Sequence, residues 1–464
     1  MVIELLSPLA NPTFRWLFLA QVVALLGTGL ATVALALLAY DLAGGQAGIV
    51  LGTALALKMV AYVAIAPAVG AFAHRLPRRT LLVGLDLLRA FLVCLLPWAT
   101  EQWHVYLLIF LLNSCSAAFT PLFQATIPDV LTDDDQYTRA LSLSRLAYDL
   151  ENMLSPTLAA LLLGVWSYDA LFASNGLAFL VSALLLVSAH LPTPIPADRP
   201  PKLLFNLSFG VRSYLATPRL RALWALYLAV AVSGAMVIVN TVVYVRGYLG
   251  GGERATAYVL MAAGLGSMAA ALMLPKLLQT RVERPVMLAG GVLVAAALGL
   301  GVLLPSYAGL ALLWSIIGVG GSLVQTPAGR VITRSCRESD RGGFFSANFA
   351  LSHGCWMVAY IATGWLGFYA GLATTFALLA ASAGLATLLA TRIWPTPDRQ
   401  VLEHVHEALC HDHPHVHDEH HQHVPSEHPA TATVHSHTHY HGPLRHAHPF
   451  VIDLHHPRWP EPEQ

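Results

Sequence analysis

Twelve mostly apolar stretches recur between Phe14 and Arg392, and nothing else in the chain restricts its fold as strongly. A helix needs ~20 such residues to cross ~30 Å of hydrocarbon. Backbone in lipid must satisfy its own hydrogen bonds, which leaves only helices and closed barrels. The stretches lie near residues 14–40, 46–72, 80–98, 104–127, 146–166, 170–190, 222–246, 255–278, 285–304, 307–330, 344–367 and 370–392. They lack the two-residue alternation of a membrane barrel, so helices are expected. Charged residues make up only 11% of the chain, against about 25% in soluble domains. Lys+Arg and Asp+Glu balance at 26 each, so there is no basic field for nucleic acid. The five cysteines form no CxxC and no disulfide framework. The chain has no GxxxxGK[ST], HExxH or GxSxG, so neither an ATP-driven pump nor a hydrolase is expected.

Lys and Arg between the stretches set an orientation. One set of loops holds Arg75, Arg78 and Arg79, then Arg139 and Arg145, and then Arg199, Lys202, Arg212, Arg219 and Arg221. It continues with Lys276, Arg281 and Arg284, and with Arg330, Arg334, Arg337 and Arg341; the opposite loops hold only Arg246 and Arg254. Both termini are therefore expected in the cytoplasm. Residues 1–13 lack a basic n-region and a cleavage site, so the first stretch reads as a retained helix. The expected layout is a six-helix half over 1–192, a cytoplasmic connection over 193–221, a second half over 222–394 and a tail over 395–464.

Weak internal echoes support a duplication. Thr120-Pro121 returns as Thr326-Pro327, and the Arg139–Arg145 start of the fifth stretch returns as Arg341–Ser346. The loop after the second stretch reads Gly70-Ala-Phe-Ala-His74-Arg75-Leu-Pro77-Arg78-Arg79. It resembles the Gly-x-x-x-Asp-Arg-x-x-Arg-Arg loop of the major facilitator superfamily. That resemblance implies an all-α membrane protein with twelve transmembrane helices in two pseudo-symmetric halves. It also implies secondary transport and a loop that latches the halves on the cytoplasmic side. His74 stands where the family has Asp, so Asp86 and Arg89 are expected to take over the latching ion pair.

The tail holds 18 of the 22 histidines. His411, His413, His415 and His417 alternate with other residues; His420, His421 and His423 follow, and then His435, His437, His439 and His441. Neutral imidazole binds borderline divalent metals, and an extended His-x-His run puts alternate rings on one side. Cys410, Asp412, Asp418 and Glu419 add anionic donors. Density of imidazoles does not choose among Ni²⁺, Co²⁺, Zn²⁺ and Cu²⁺. The closing His446–Pro460 segment, with its apolar Phe450-Val-Ile452 and Trp459, either docks on the cytoplasmic face or is an apolar end. A permease with such a tail resembles the bacterial nickel-resistance exporters. The resemblance implies proton-coupled export of Ni²⁺, with Co²⁺ a second cargo, across a bacterial cytoplasmic membrane. The partners expected are the lipid bilayer and divalent metal ions, with no tightly bound cofactor, no nucleic acid and no obligate protein partner.

Ionisable groups inside spans are costly and mark function. The fifth stretch carries Asp149, Glu151, Asn152, Ser155 and Pro156; helical spacing puts Asp149 with Asn152, and Glu151 with Ser155. The pseudo-symmetric stretch carries Asn348, Ser352, His353, Cys355 and Met357, with His353 opposite Glu151. The expected transport and proton-coupling set is Asp149, Glu151, Asn152, Asn348, His353 and Cys355, where a carboxylate takes a proton and a dication in turn. Lys58 either snorkels or pairs with Asp149 or Glu151. Two alternatives stand beside metal export. One is a drug or siderophore efflux permease whose tail binds metal incidentally; the other is a membrane-anchored metal sensor or store.

Overall fold

The computed structural model describes residues 2–43, 47–72, 77–193, 203–406, 409–415, 435–441, 444–453, 456 and 458–460. Two compact units result: Met1–Pro395 together with Val451–Trp459, and Thr396–Phe450 together with Pro460–Gln464.

The first unit is a helical bundle. Its long helices are α1 (Pro12–Ala43), α2 (Ala47–Phe72), α3 (Arg78–Cys94), α4 (Gln102–Val130), α5 (Asp134–Leu163) and α6 (Tyr168–Ser188). Then come α7 (Pro218–Val242), α8 (Glu253–Thr280), α9 (Glu283–Gly301), α10 (Tyr307–Gln325), α11 (Arg341–Tyr369) and α12 (Leu372–Ile393). Ten are long and apolar enough to cross a membrane on composition alone. The other two are α5 and α11, with 30 and 29 residues, which carry the polar groups singled out in the sequence.

The first six helices pack as the last six do. Helix α1 packs on α6 and α5, as α7 packs on α12 and α11. Helices α2–α4, α3–α4 and α3–α6 are matched by α8–α10, α9–α10 and α9–α12, and the two sets meet through α2–α11 and α5–α8. Every one of these pairs recurs with six added to each helix, which is a pseudo-two-fold repeat. Helix contacts in lipid rest on close packing and small residues. At Gly70 of α2 a Cβ would come within 2.6 Å of Ser346 in α11, so this glycine lets the two sets close on each other.

Two expectations about boundaries are corrected. Arg139 and Arg145 are not in a loop: Asp133 accepts the backbone N–H of Gln136 at 2.8 Å and α5 starts at Asp134, twelve residues before the expected stretch at 146–166. The expected connection at 193–221 contains a helix, Leu203–Ala216, and ends where Pro218 at the first turn starts α7, so Arg219 and Arg221 are helical.

The second unit departs from an all-helical chain. Strands β1 (Val401–His406) and β4 (Leu444–Pro449) pair antiparallel, as do β2 (Leu409–His415) and β3 (His435–His441). Alternation of His with other residues has the period of a strand, not of a helix. In the β2–β3 register His411 is opposite His439, His413 opposite His437, and His415 opposite His435. His417, His420, His421 and His423 lie outside the described residues.

Candidate functional site

One end of the bundle gathers the arginines and locks the two helical sets together. Asp129, at the last turn of α4, accepts from Arg78 at the start of α3 and from Arg341 at the start of α11. A carboxylate at a helix C-terminus and cations at helix N-termini oppose their own helix dipoles, so mutual pairing is what holds them there. The second set has the same device with charges reversed: Glu283 in the first turn of α9 meets Arg330 at 2.8 Å and Arg334 at 3.6 Å. Arg330 also donates to Thr138 of α5 at 2.5 Å, and Arg145 of α5 donates to Ser267 of α8 at 2.9 Å. The lock thus runs from α11 to α4, and from α5 to the short helix Ala328–Thr333 after α10 and to α8. Beside Asp129 lies a cavity of about 260 Å³, walled by Arg78, Thr132, Tyr137, Glu338 and Arg341 among others.

Farther along α5, ionisable side chains of the first set lie near a histidine of the second. Glu151 rests against α1 at Gly29, where a Cβ would lie 2.0 Å from Ser155 Oγ and 2.8 Å from Glu151 Oε1. Only glycine leaves room there for the carboxylate. Lys58 of α2 holds its Nζ 5.6 Å from the Tyr62 ring centroid, and its charge acts on both Glu151 and His353. The His353 ring meets Tyr62 edge-on at 4.8 Å and lies 4.1 Å from Phe349. Its Nδ1 is 2.7 Å from the Phe349 carbonyl. A carbonyl only accepts, so Nδ1 carries a proton and the neutral ring keeps its lone pair on Nε2. Lys58, Glu151, His353 and Tyr62 all retain partial exposure within the protein mass. Deeper in the first set, Gln21 accepts from Ser144 at 3.0 Å and bonds Tyr148.

The predicted residues separate into different places. Asp149 is buried and tied to Arg145 at 3.2 Å, and it bonds Ser267, so it belongs to the α5–α8 lock. Asn152 is exposed and donates to the Tyr148 carbonyl at 2.9 Å. It stands ~200° around the helix from Leu150, opposite the exposed Leu150, Leu154 and Leu158 stripe.

Asn348, Ser352 and Cys355 share a side of α11 that does not hold His353. Asn348 accepts from Tyr214 at 3.0 Å and donates to Tyr227 at 3.5 Å, both buried. Cys355 is packed in the apolar core of the second set. These residues lie ~100° or more around α11 from His353, on its face toward α7.

In the loop motif, His74 and Arg75 lie outside the described residues. Arg79 donates to the Val187 carbonyl of α6. Asp86 and Arg89 do not latch the two sets, contrary to expectation. They pair with each other; Asp86 accepts from Ser182 at 2.7 Å, and Arg89 lies over Phe119 and Phe179 at 4.0 and 4.4 Å. All of these belong to the first six helices. Asp129, which the sequence reading missed, makes an ion pair across the sets, with Arg341. Its one signal was an acid at the end of an apolar run, followed closely by Asp133, Asp134 and Asp135.

A pseudo-two-fold bundle of twelve long helices, locked at one end and holding an acid, a lysine and a histidine drawn from both sets in its interior, is a secondary transporter rather than an enzyme. Residues 17–283, more than half of the chain, match the Major Facilitator Superfamily, and the chain belongs to that family of multi-pass membrane proteins. It is similar to macrolide efflux protein A of Streptococcus pyogenes, 24% identical over 184 residues, which are 39% of this chain and 45% of that protein. The macrolide efflux protein A of Enterococcus faecalis is 26% identical over 152 residues, 31% of this chain and 47% of that protein. The chain spans less than half the length of these curated relatives. In fold it is similar to the human organic anion transporter MFSD10, with a TM-score of 0.71 at 13% identity, covering 82% of this chain and 98% of that one. A bacterial homologue of the iron transporter ferroportin in its outward-facing state has a TM-score of 0.68 at 14% identity, covering 82% and 99%.

Proposed function

We propose that the chain is a proton-coupled efflux permease for an organic solute carrying a basic amine, the macrolides named for its relatives being the working example. The observation that carries this reading is Glu151, wedged against Gly29 beside Lys58 and an aromatic wall of Tyr62, Phe349 and His353. With no cargo the Lys58 ammonium balances the carboxylate. A cationic solute entering the layer takes over that role, with its apolar body against the rings. A proton arriving at Glu151 removes the charge that held the solute and favours release. The lysine and arginine distribution supports a cytoplasmic position for the locked end. Substrate-driven proton release in everted vesicles tests the reading. Release that persists unchanged in Glu151→Gln overturns it.

A second reading, export of Ni²⁺ with Co²⁺ as a further cargo, is favoured by one observation. The register of β2 and β3 places His411, His413, His415, His435, His437 and His439 on one face of a two-stranded ladder. Cross-strand neighbours have Cβ atoms ~5 Å apart. Cys410 and Asp412 fall at the alternate register positions, opposite Tyr440 and Thr438. On this reading the tail collects the ion; on the first it binds metal with no part in transport. Measuring accumulation of Ni²⁺ and of a macrolide in the same expressing cells separates the two.

A further inference from the structure

Val451–Trp459 belongs with the helices, although more than fifty residues separate it from the end of α12. Asp453 is tied to His456: its Oδ1 accepts the His456 backbone N–H at 2.7 Å and Nδ1 at 3.0 Å, and its own N–H donates to the His456 carbonyl at 3.3 Å. The second oxygen of Asp453 takes Arg337 at 2.5 Å. Ile452, Asp453 and His456 are all buried. Trp459 lies 5.0 Å from the guanidinium of Arg219, a fully buried side chain in the first turn of α7.

Arg337 stands at the start of the short turn Glu338–Asp340 that leads into α11. Four residues on, Arg341 makes the cross-set pair with Asp129, and Glu338 between them meets Arg341 at 3.4 Å. The segment therefore grips one end of the turn whose other end carries the lock, and through Trp459 it also grips the start of α7. A turn of three residues has little freedom to move one end while the other is held.

We propose that Val451–Trp459 is a brace that holds the turn before α11 in the position where Arg341 meets Asp129, so that its docking favours the locked state of the arginine-rich end and its release favours opening there. This inference does not depend on the cargo.

The test uses the full chain in lipid nanodiscs with spin labels at Thr132 and Thr280, exposed residues of opposite helical sets at this end. Asp453→Asn, Arg337→Ala and Trp459→Ala are each expected to raise the long-distance population about threefold or more. Arg458→Ala, at an exposed neighbouring position, should leave the distribution as it is. Arg337 is half-exposed, at 52%, so its replacement removes the contact without a hole in the core. Identical distributions in the three brace variants and the parent overturn the proposal. So does a lower melting temperature with no change in distance, since that is what mere packing would give.

Discussion

Glu151 and Asp149 are two residues apart on one helix and have opposite employments. Asp149 spends its charge on Arg145 and Ser267, whereas Glu151 lies in the field of Lys58. Glu151→Gln keeps the shape and removes the titration, so coupled transport should fall at least ~100-fold while the purified protein melts as before. Asp149→Asn leaves Arg145 without its carboxylate. Breaking one partner of a buried pair costs about 3–5 kcal/mol, so this variant should melt lower. Measuring transport and melting on both variants checks the division; equal transport loss with equal destabilisation would contradict it. Gly29→Ala should also fail in transport, because its Cβ would meet Ser155 Oγ at 2.0 Å, and Ser155→Gly in the same chain should restore part of the activity.

At this scale the sequence was partly legible. An ionisable residue inside an apolar run stands out, which is how Glu151, His353 and Lys58 were found. Which of several polar neighbours points inward was not legible on α11, since Asn348 and His353 differ by a rotation that only packing against Tyr214 and Tyr227 fixes.

Helices were legible because their apolar runs match the thickness of lipid, yet their ends were not. Helix α5 begins at Asp134 through a polar cap and charged first turns, features that hydrophobicity alone assigns to a loop. The lock illustrates the same limit, for Asp129 meets Arg341 across 212 residues of chain. Asp129→Asn would leave Arg78 and Arg341 facing each other without the carboxylate. The expected outcome is a shift of the arginine-rich end toward opening, read as faster labelling of a cysteine placed at Thr132.

The brace has its own electrostatics. Burial alone would push the Asp453 carboxyl up, but the His456 side chain, the Arg337 charge and the His456 backbone N–H outweigh it and hold it at about 2. A carboxyl depressed below its ordinary ~3.9 stabilises docking above that value and loses the contribution as pH falls toward 2. A fluorophore on Arg458→Cys should therefore stay immobile at pH 4 and become mobile only near pH 2. Mobility that sets in around pH 4 would mean that these contacts do not govern docking.

Over the whole molecule, two jobs share one stretch of chain after α12: a histidine-lined ladder and, beyond it, the brace. Truncation at Pro395 removes both, so a changed transport spectrum would not say which mattered. Deleting residues 409–441 removes the β2–β3 ladder and leaves Val451–Trp459 able to dock. If the cargo is an organic amine, that deletion should leave macrolide accumulation within about twofold of the parent, and Ni²⁺ content should follow only the number of imidazoles present. If the cargo is Ni²⁺, cells with the intact chain should hold less nickel than empty cells at equal exposure. The deletion should then weaken that difference, Glu151→Gln should abolish it, and macrolide content should not respond to any of the three. The ladder also makes a register prediction. Pro414, opposite Ser436, has no N–H to donate, so its rung belongs to the non-bonded set and the histidine rungs to the bonded set, with Cα atoms ~5.5 Å apart. Replacing His413 with Pro and Pro414 with Ala would force a one-residue slip and pair histidine with serine or threonine. Ni²⁺ binding by the purified chain should then fall about tenfold although only one imidazole is lost, whereas His413→Ala alone should cost no more than about threefold.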